Sequence, residues 1–122
     1  MIQWARLDLE IVRYASWPSG TWSLKDRVTG EVIPIAGKVI QYGIRLHETT
    51  ADLLLISSST SSGNRIVKDG DSFYPVIAQA TLQGLPPGQH DDEPAVFFNY
   101  LKITHEDGVT EVYGRGRLTV HG

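Results

Sequence analysis

The chain of 122 residues contains no cysteine and a single methionine. The absence of cysteine excludes a disulfide framework and a thiolate metal site, and it is typical of proteins that fold in a reducing cytoplasm. No apolar segment approaches the roughly 20 residues that a membrane-spanning helix needs. The first ten residues, MIQWARLDLE, carry charges where a secretory signal peptide has an apolar run. We therefore expect a protein that is made in the cytoplasm of its host and has no membrane span.

Basic residues are not in excess. The chain has 11 Lys and Arg against 14 Asp and Glu, which gives a net charge of -3. A protein that binds a nucleic-acid duplex needs a surplus of Lys and Arg on one face, so we expect no nucleic-acid partner. A hydrophobic fraction of 41% with 20% charged residues is ordinary for a folded domain with one core. We expect a single domain over residues 1–122, in which residues 1–19 form an N-terminal strand and lead-in and residues 20–120 form the main body.

Helical periodicity is also lacking, since no run of ten or more residues repeats its apolar positions every 3.6 residues. Turn-forming segments instead separate short runs that are rich in Val, Ile, Tyr, Phe and Trp. We predict strands near residues 7–14, 20–26, 39–47, 52–57, 64–68, 73–82, 95–105 and 109–120. A lone open sheet with this many strands would leave one apolar face in water. The pattern therefore predicts an all-β fold, an antiparallel two-sheet immunoglobulin-like β-sandwich of about seven to eight strands.

The last two runs are joined by Asp107-Gly108, which predicts a two-residue hairpin turn. If Glu106 pairs with Val109, one face of the hairpin is apolar and the other is aromatic and cationic. On the apolar face we expect Gly114 and Gly116 to leave room for a bulky side chain of the opposite sheet, with Trp22 as the candidate. Because no helix follows YGRGRL, these glycines do not indicate a phosphate-binding loop. The predicted core comprises Trp22, Leu24, Ile40, Ile44, Phe97, Leu101, Ile103, Val112 and Leu118.

The other face of this hairpin is the candidate functional surface. Tyr, Phe and Arg are the residue types enriched at the centres of protein–protein interfaces. Two alternatives remain open: the long side chains cover one another, or the aromatic rings form a sugar-binding platform. We call this set the outer strip, and it comprises Phe98, Tyr100, Lys102, Tyr113, Arg115 and Arg117.

Residues that could carry chemistry are scattered. The four histidines lie in separate segments without metal-ligand spacing, and no serine occupies a sharp strand-to-helix turn that would present a nucleophile. We therefore expect no enzymatic activity, no catalytic residues and no cofactor. The acidic run at residues 91–93 supplies candidate cation ligands, with a solvated loop as the alternative. These candidates are Asp91, Asp92 and Glu93.

The order of motifs carries a family resemblance. The segments GTWSLKDRVTGEVIPIAGKVIQYGIRLHE, LLLISSSTSSGNRI, LPPGQH and VFFNYLKITHEDGVTEVYGRGRLTV follow one another between residues 20 and 120. In this order they resemble the small β-sandwich domain of phage and prophage virion proteins. They are similar to the N-terminal domains of baseplate upper proteins and tail-fibre components. The matching positions are Leu24, Asp26, Gly30, Ile35, Gly37, Ile44, Arg45, Gly63, Ile66, Leu85, Pro86, Gly88, Tyr100, Leu101, Ile103, Thr104, Asp107, Gly108, Gly116 and Val120.

The resemblance implies a non-enzymatic structural protein of the virion that acts in a tail, a baseplate or a fibre attachment. Its partners would be other virion proteins or further copies of itself in a homo-oligomer. Two alternative functions remain open: a carbohydrate-binding or host-adhesion module, and a capsid decoration protein. The resemblance leaves open the position in the particle and the symmetry of the assembly.

Overall fold

The computed structural model describes residues 5–17, 20–26, 28–88 and 93–122. These residues form short strands and one short helix, which confirms an all-β fold. The strands are β1 (Ala5–Arg6), β2 (Leu9–Val12), β3 (Trp22–Ser23), β4 (Val39–Arg45), β5 (Asp52–Ser57), β6 (Arg65–Asp69), β7 (Ser72–Val76), β8 (Ala95–Thr104) and β9 (Thr110–His121). The helix, α1 (Gln79–Gln83), lies between β7 and β8.

The strands form two sheets. The large sheet has the order β1-β9-β8-β4-β5, and β2 continues the line of β1 along β9. The small sheet has the order β3-β7-β6. The prediction of purely antiparallel sheets was wrong for the large sheet, because β1 and β2 run parallel to β9. The N-terminal segment satisfies the backbone groups along the outer edge of β9, as in the hydrogen bond of 2.9 Å from the Leu7 N–H to the Arg115 carbonyl.

The hydrophobic core lies between the two sheets. Trp22 of the small sheet meets Tyr42 of the large sheet edge to face, with ring centroids 5.6 Å apart, and it meets Phe73 in the same way at 5.9 Å. Trp22 itself is half-buried and packs against this cluster. The prediction of Val112 as a core residue was wrong, since it is 45% exposed. The predicted core residues that are buried are Leu24, Ile40, Ile44, Phe97, Leu101, Ile103 and Leu118.

The error at Val112 arises in the hairpin between β8 and β9. The loop has three residues instead of two: the His105 N–H donates to the Val109 carbonyl (2.8 Å), and Gly108 adopts a φ of 87°. This is the three-residue hairpin in which a left-handed glycine ends the turn. The pairing then shifts by one residue between Leu101 and Lys102, so that Lys102 lies opposite Val112. Beyond this β-bulge the predicted register is confirmed, from Leu101 opposite Gly114 to Phe97 opposite Leu118.

The predicted strand at 73–82 was wrong in its second half, where the chain forms α1. Asn64 closes the start of this helix, since its Oδ1 accepts from the Ala78 N–H (2.7 Å) and its Nδ2 lies 2.9 Å from Thr81 Oγ1. At the other end the buried guanidinium of Arg13 donates to the carbonyls of Leu82, Leu85 and Pro86. Side chains that are distant in sequence thus satisfy backbone groups at both ends, which local propensity does not reveal.

The N-terminal segment is also tied to the core by buried polar groups. The Tyr42 hydroxyl donates to Asn99 Oδ1 (2.8 Å), and Asn99 Nδ2 donates to the carbonyl of Leu7 (2.9 Å). Leu7 lies in the break that divides the predicted strand 7–14 into β1 and β2. A Cβ at Gly116 would collide with this same carbonyl. The expectation that Gly116 makes room for Trp22 was therefore wrong, because the N-terminal backbone occupies that space.

Candidate functional site

The outer face of the large sheet, which points away from the small sheet, holds most of the outer strip. Phe98, Tyr100 and Lys102 alternate with buried residues along β8. Arg115 and Arg117 lie opposite Tyr100 and Phe98 on β9. The register of the hairpin thus places these five side chains on one face, because strand residues two apart point the same way.

Tyr113 does not belong to this face. It is the extra residue of the β-bulge, and its hydroxyl lies 2.7 Å from both the N–H and the carbonyl of Lys25, beside the end of β3. Its ring packs against the core. The prediction of Tyr113 as a member of the outer strip was therefore wrong, and Val112 takes its place opposite Lys102.

Tyr100 lies on the predicted face but is only 3% exposed. Its ring covers Gly43, where even a Cβ would collide with it. The Arg45 guanidinium lies 4.6 Å from the ring centroid and the Lys102 ammonium lies 5.6 Å from it, both as cation–π contacts. The hydroxyl donates to Asp52 Oδ1 at 2.7 Å. Tyr100 therefore covers the sheet and is not available to a partner.

The charges around Tyr100 form a coupled group. Partial burial raises the pKa of Asp52, but hydrogen bonds from Arg45 and Tyr100 and the nearby cationic charges outweigh it, so that the pKa lies below its ordinary value. Burial and the Asp52 carboxylate together raise the pKa of the Tyr100 hydroxyl to about 12. The group is thus arranged to keep Asp52 ionised and Tyr100 protonated.

This arrangement predicts a pH-dependent contribution to stability. A carboxyl group whose pKa is lower in the folded state stabilises the fold above its unfolded pKa, and it loses that contribution as the pH falls through the folded pKa. We therefore expect Asp52→Asn to lower the free energy of unfolding at pH 7 and the difference from wild type to shrink below about pH 4. Urea unfolding between pH 7 and pH 2.5 measures it. A difference that stays constant over this range would contradict the role of the carboxylate.

The exposed part of the outer face surrounds two adjoining clefts. One, of about 470 Å³, lies between Val96, Phe98 and Arg117, and the other, of about 350 Å³, lies between Phe98, Lys102 and Val112. Leu46, Val96 and Val112 are exposed, Phe98 is half-buried and Arg117 is exposed. We call these five residues the outer patch. It offers apolar surface that a partner can cover beside a cationic group.

Positive charge is in excess around the clefts. Their lining includes the cations Arg6, Arg45, Lys102, Arg115 and Arg117. Three of these cations form ion pairs with acidic side chains: Arg6 with Asp8 (2.6 Å), Arg45 with Asp52 (2.8 Å) and Arg115 with Glu48 (3.0 Å). Lys102 and Arg117 are in no ion pair with the part of the chain that the structure describes. The clefts therefore favour a partner that carries carboxylates.

Sequence reasoning missed the acidic side of this face. Asp52 begins β5 and Glu48 lies in the loop before it, and neither belongs to the hairpin on which the prediction depended. The alternation along β4 already places Arg45 on the face opposite the core, so an acidic partner on the neighbouring strand was a signal that could have been used. Glu48 carries no such signal, because its contact with Arg115 is made from a loop.

The candidate cation ligands are not brought together by the structure. Asp91 and Asp92 lie outside the described residues, and Glu93 is exposed. Within the described ranges, no group of three or more acidic or histidine side chains is placed to hold a metal ion. The same ranges contain no helix with the length and apolar character of a membrane span. A cation site in residues 91–93 stays a prediction.

Comparison of the sequence with protein-family models and with curated proteins finds no match. The functional argument therefore depends on the geometry of the outer face and on the order of the sequence motifs. Of these, the geometry supplies specific residues: the outer patch, with exposed apolar side chains beside the unpaired charges of Arg117 and Lys102.

Proposed function

We propose that this protein is a non-enzymatic structural component that assembles with other proteins through the outer patch. The observation that carries the proposal is the exposure of Leu46, Val96 and Val112 around Phe98 on one regular sheet face. Apolar residues exposed together on a monomer, with polar groups at their rim, are characteristic of protein interaction sites. Phe98 and Arg117 supply the aromatic and cationic groups that dominate binding energy at such sites.

The charges indicate the kind of partner surface. Lys102 and Arg117 remain without an acidic partner in the described chain, while the carboxylates of Asp52 and Glu48 are engaged by Arg45 and Arg115. A partner that places carboxylates opposite Lys102 and Arg117 would complement the face and orient the encounter. The proposed partner surface is therefore apolar at its centre and acidic at its rim.

The proposal places this assembly in a phage virion, at a tail, a baseplate or a fibre attachment, after synthesis in the host cytoplasm. Its support is the order of the motifs between residues 20 and 120, which resembles the sandwich domain of such proteins. It also includes an immunoglobulin-like relationship, supported by two sheets that enclose one core. A capsid decoration protein would use the same surface logic, and the identity of the copurifying partner separates the two.

Carbohydrate binding has less support from the geometry. A sugar platform presents exposed aromatic ring faces, whereas the Tyr100 ring is covered by Arg45 and lies against Gly43. Phe98 stacks on Tyr100 with centroids 6.1 Å apart, which leaves it the half-buried end of the pair. Assembly with a protein surface makes better use of these groups.

The test is the double variant Phe98→Ser with Arg117→Ser. We expect the melting transition of the isolated protein to stay nearly unchanged, because exposed cross-strand pairs contribute only about 0.2–1 kcal/mol each. Incorporation into particles, or copurification with virion proteins, should fall strongly. Thermal melts and pull-downs from infected or induced cells measure the two effects.

The matched control is Tyr74→Ser with Arg65→Ser, which removes the same residue types from the small sheet. This control should assemble as wild type does. Normal assembly of a well-folded Phe98 and Arg117 variant would place the interface elsewhere. Retention of the wild-type protein on a glycan column, without protein partners, would favour the carbohydrate-binding alternative.

A further inference from the structure

The strand β5 forms one edge of the large sheet, and only one of its sides is paired. The Ser58 N–H donates to the Ile40 carbonyl at 2.8 Å, which makes these two residues a hydrogen-bonded pair. Since hydrogen-bonded and non-hydrogen-bonded pairs alternate along an antiparallel ladder, Leu55 and Ser57 direct their N–H and C=O groups away from β4. The free side of β5 therefore presents a row of backbone donors and acceptors.

This edge lacks the usual protection against pairing with another strand. Natural edge strands carry charges, prolines or a covering segment. The edge strand β6 of the small sheet has Arg65, Lys68 and Asp69, whereas the stretch 53–63 has no charged residue and no proline. Leu53 and Leu55 are each 44% exposed. The contrast between the two edges indicates that β5 is suited to pairing.

We propose that β5 pairs with β5 of a second copy of this chain, antiparallel across a two-fold axis at Leu55. In this register the two Leu55 residues face each other, Leu53 lies opposite Ser57 of the other copy, and Asp52 lies opposite Ser58. No two like charges meet along the strand, so the segment is complementary to itself. A two-fold interface uses one patch twice, as this pairing does. The two large sheets then form one continuous sheet.

The surface is separate from the outer patch, and the inference goes beyond the proposed assembly with other proteins. One pair of strands buries less than the roughly 1,000 Å² that a stable interface needs. The dimer is therefore weak in dilute solution and forms where copies are held at high local concentration. This is the condition in an assembled particle.

Cross-linking of a Leu55→Cys variant tests the register directly, since the chain has no other cysteine. Residues that face each other in a hydrogen-bonded antiparallel pair have Cα atoms about 5.5 Å apart, within the roughly 4.4–6.8 Å that a disulfide spans. The control is Val96→Cys, which is equally exposed but lies on the interior strand β8. We expect Leu55→Cys to form disulfide-linked dimers at least about tenfold faster, as the local concentration of its partner is higher. Equal rates would overturn the proposal.

Sedimentation equilibrium gives a second measurement on the cysteine-free chain. Wild type should show a monomer–dimer equilibrium that Leu55→Lys weakens at least about tenfold, because like charges then face each other, and that Val96→Lys leaves unchanged. A wild-type protein that stays monomeric up to millimolar concentration would overturn the proposal, as would association that Val96→Lys abolishes and Leu55→Lys does not. The Leu55→Cys cross-link should persist with Phe98→Ser and Arg117→Ser added, so the two proposals fail independently.

Discussion

Replacing Phe73 with alanine is expected to lower the free energy of unfolding by about 3–5 kcal/mol, the largest effect of any single truncation considered. Phe73 is fully buried on β7, the middle strand of the small sheet. Its ring contacts Trp22, which in turn contacts Tyr42 of the large sheet. Truncation leaves a cavity where the two sheets meet, and the rigid strands around it cannot close it fully.

Phe98→Ala is the matched control, since it removes the same side chain from the half-buried outer face. Its cost should be well below that of Phe73→Ala, because less apolar surface returns to water. Urea unfolding followed by circular dichroism gives both values under the same conditions. Equal losses of stability for the two variants would contradict the assignment of inner and outer faces.

Gly116→Ala is expected to lower the free energy of unfolding by about 1–3 kcal/mol through overpacking. A methyl group at this position would collide with the carbonyl of Leu7 and lie 2.6 Å from Asp8 Oδ1. The carbonyl is backbone and accepts a hydrogen bond from Asn99, so it cannot move without disturbing the buried amide. The added methyl group should therefore displace the N-terminal strands from β9.

Gly84→Ala is the control for the same substitution. Gly84 has helical backbone angles, and its Cβ would meet the Ala80 carbonyl at an ordinary 3.4 Å. We expect a change within about 1 kcal/mol, with either sign. Combining Gly116→Ala with Trp22→Ala distinguishes the neighbour: if Trp22 filled the space, its truncation would relieve the collision. Additive losses in the double variant would support the N-terminal backbone as the neighbour.

The sequence predicted well those features that depend on alternation and turn chemistry. The alternation along β4 identified Ile40 and Ile44 as buried, because side chains of a strand point to opposite faces in turn. The pairing of Phe98 with Arg117 and of Tyr100 with Arg115 followed from the Asp107-Gly108 turn. On the candidate surface, this was enough to place Phe98, Lys102, Arg115 and Arg117 together.

The errors arose where distant segments decide the local structure. The bulge at Tyr113 changes the facing of two residues, and the hydrogen bonds of Tyr113 to Lys25 come from a segment 88 residues away. The burial of Tyr100 depends on Gly43 and Asp52, which lie on two other strands. Helix α1 depends on Asn64 and Arg13 at its two ends. None of these contacts has a signal in the local pattern of residues.

The parallel pairing of β2 with β9 has a consequence for how the chain is completed during synthesis. Leu9 pairs with Leu118 and Val12 with His121, so the first strands to be made need the last one as their partner. Closing such a long loop costs conformational entropy that only the finished ladder repays. While the ribosome still holds the C-terminal residues, the Asn99 amide and the edge of β9 therefore wait without their partners. The two ends of the polypeptide join last, and the molecule closes only after release.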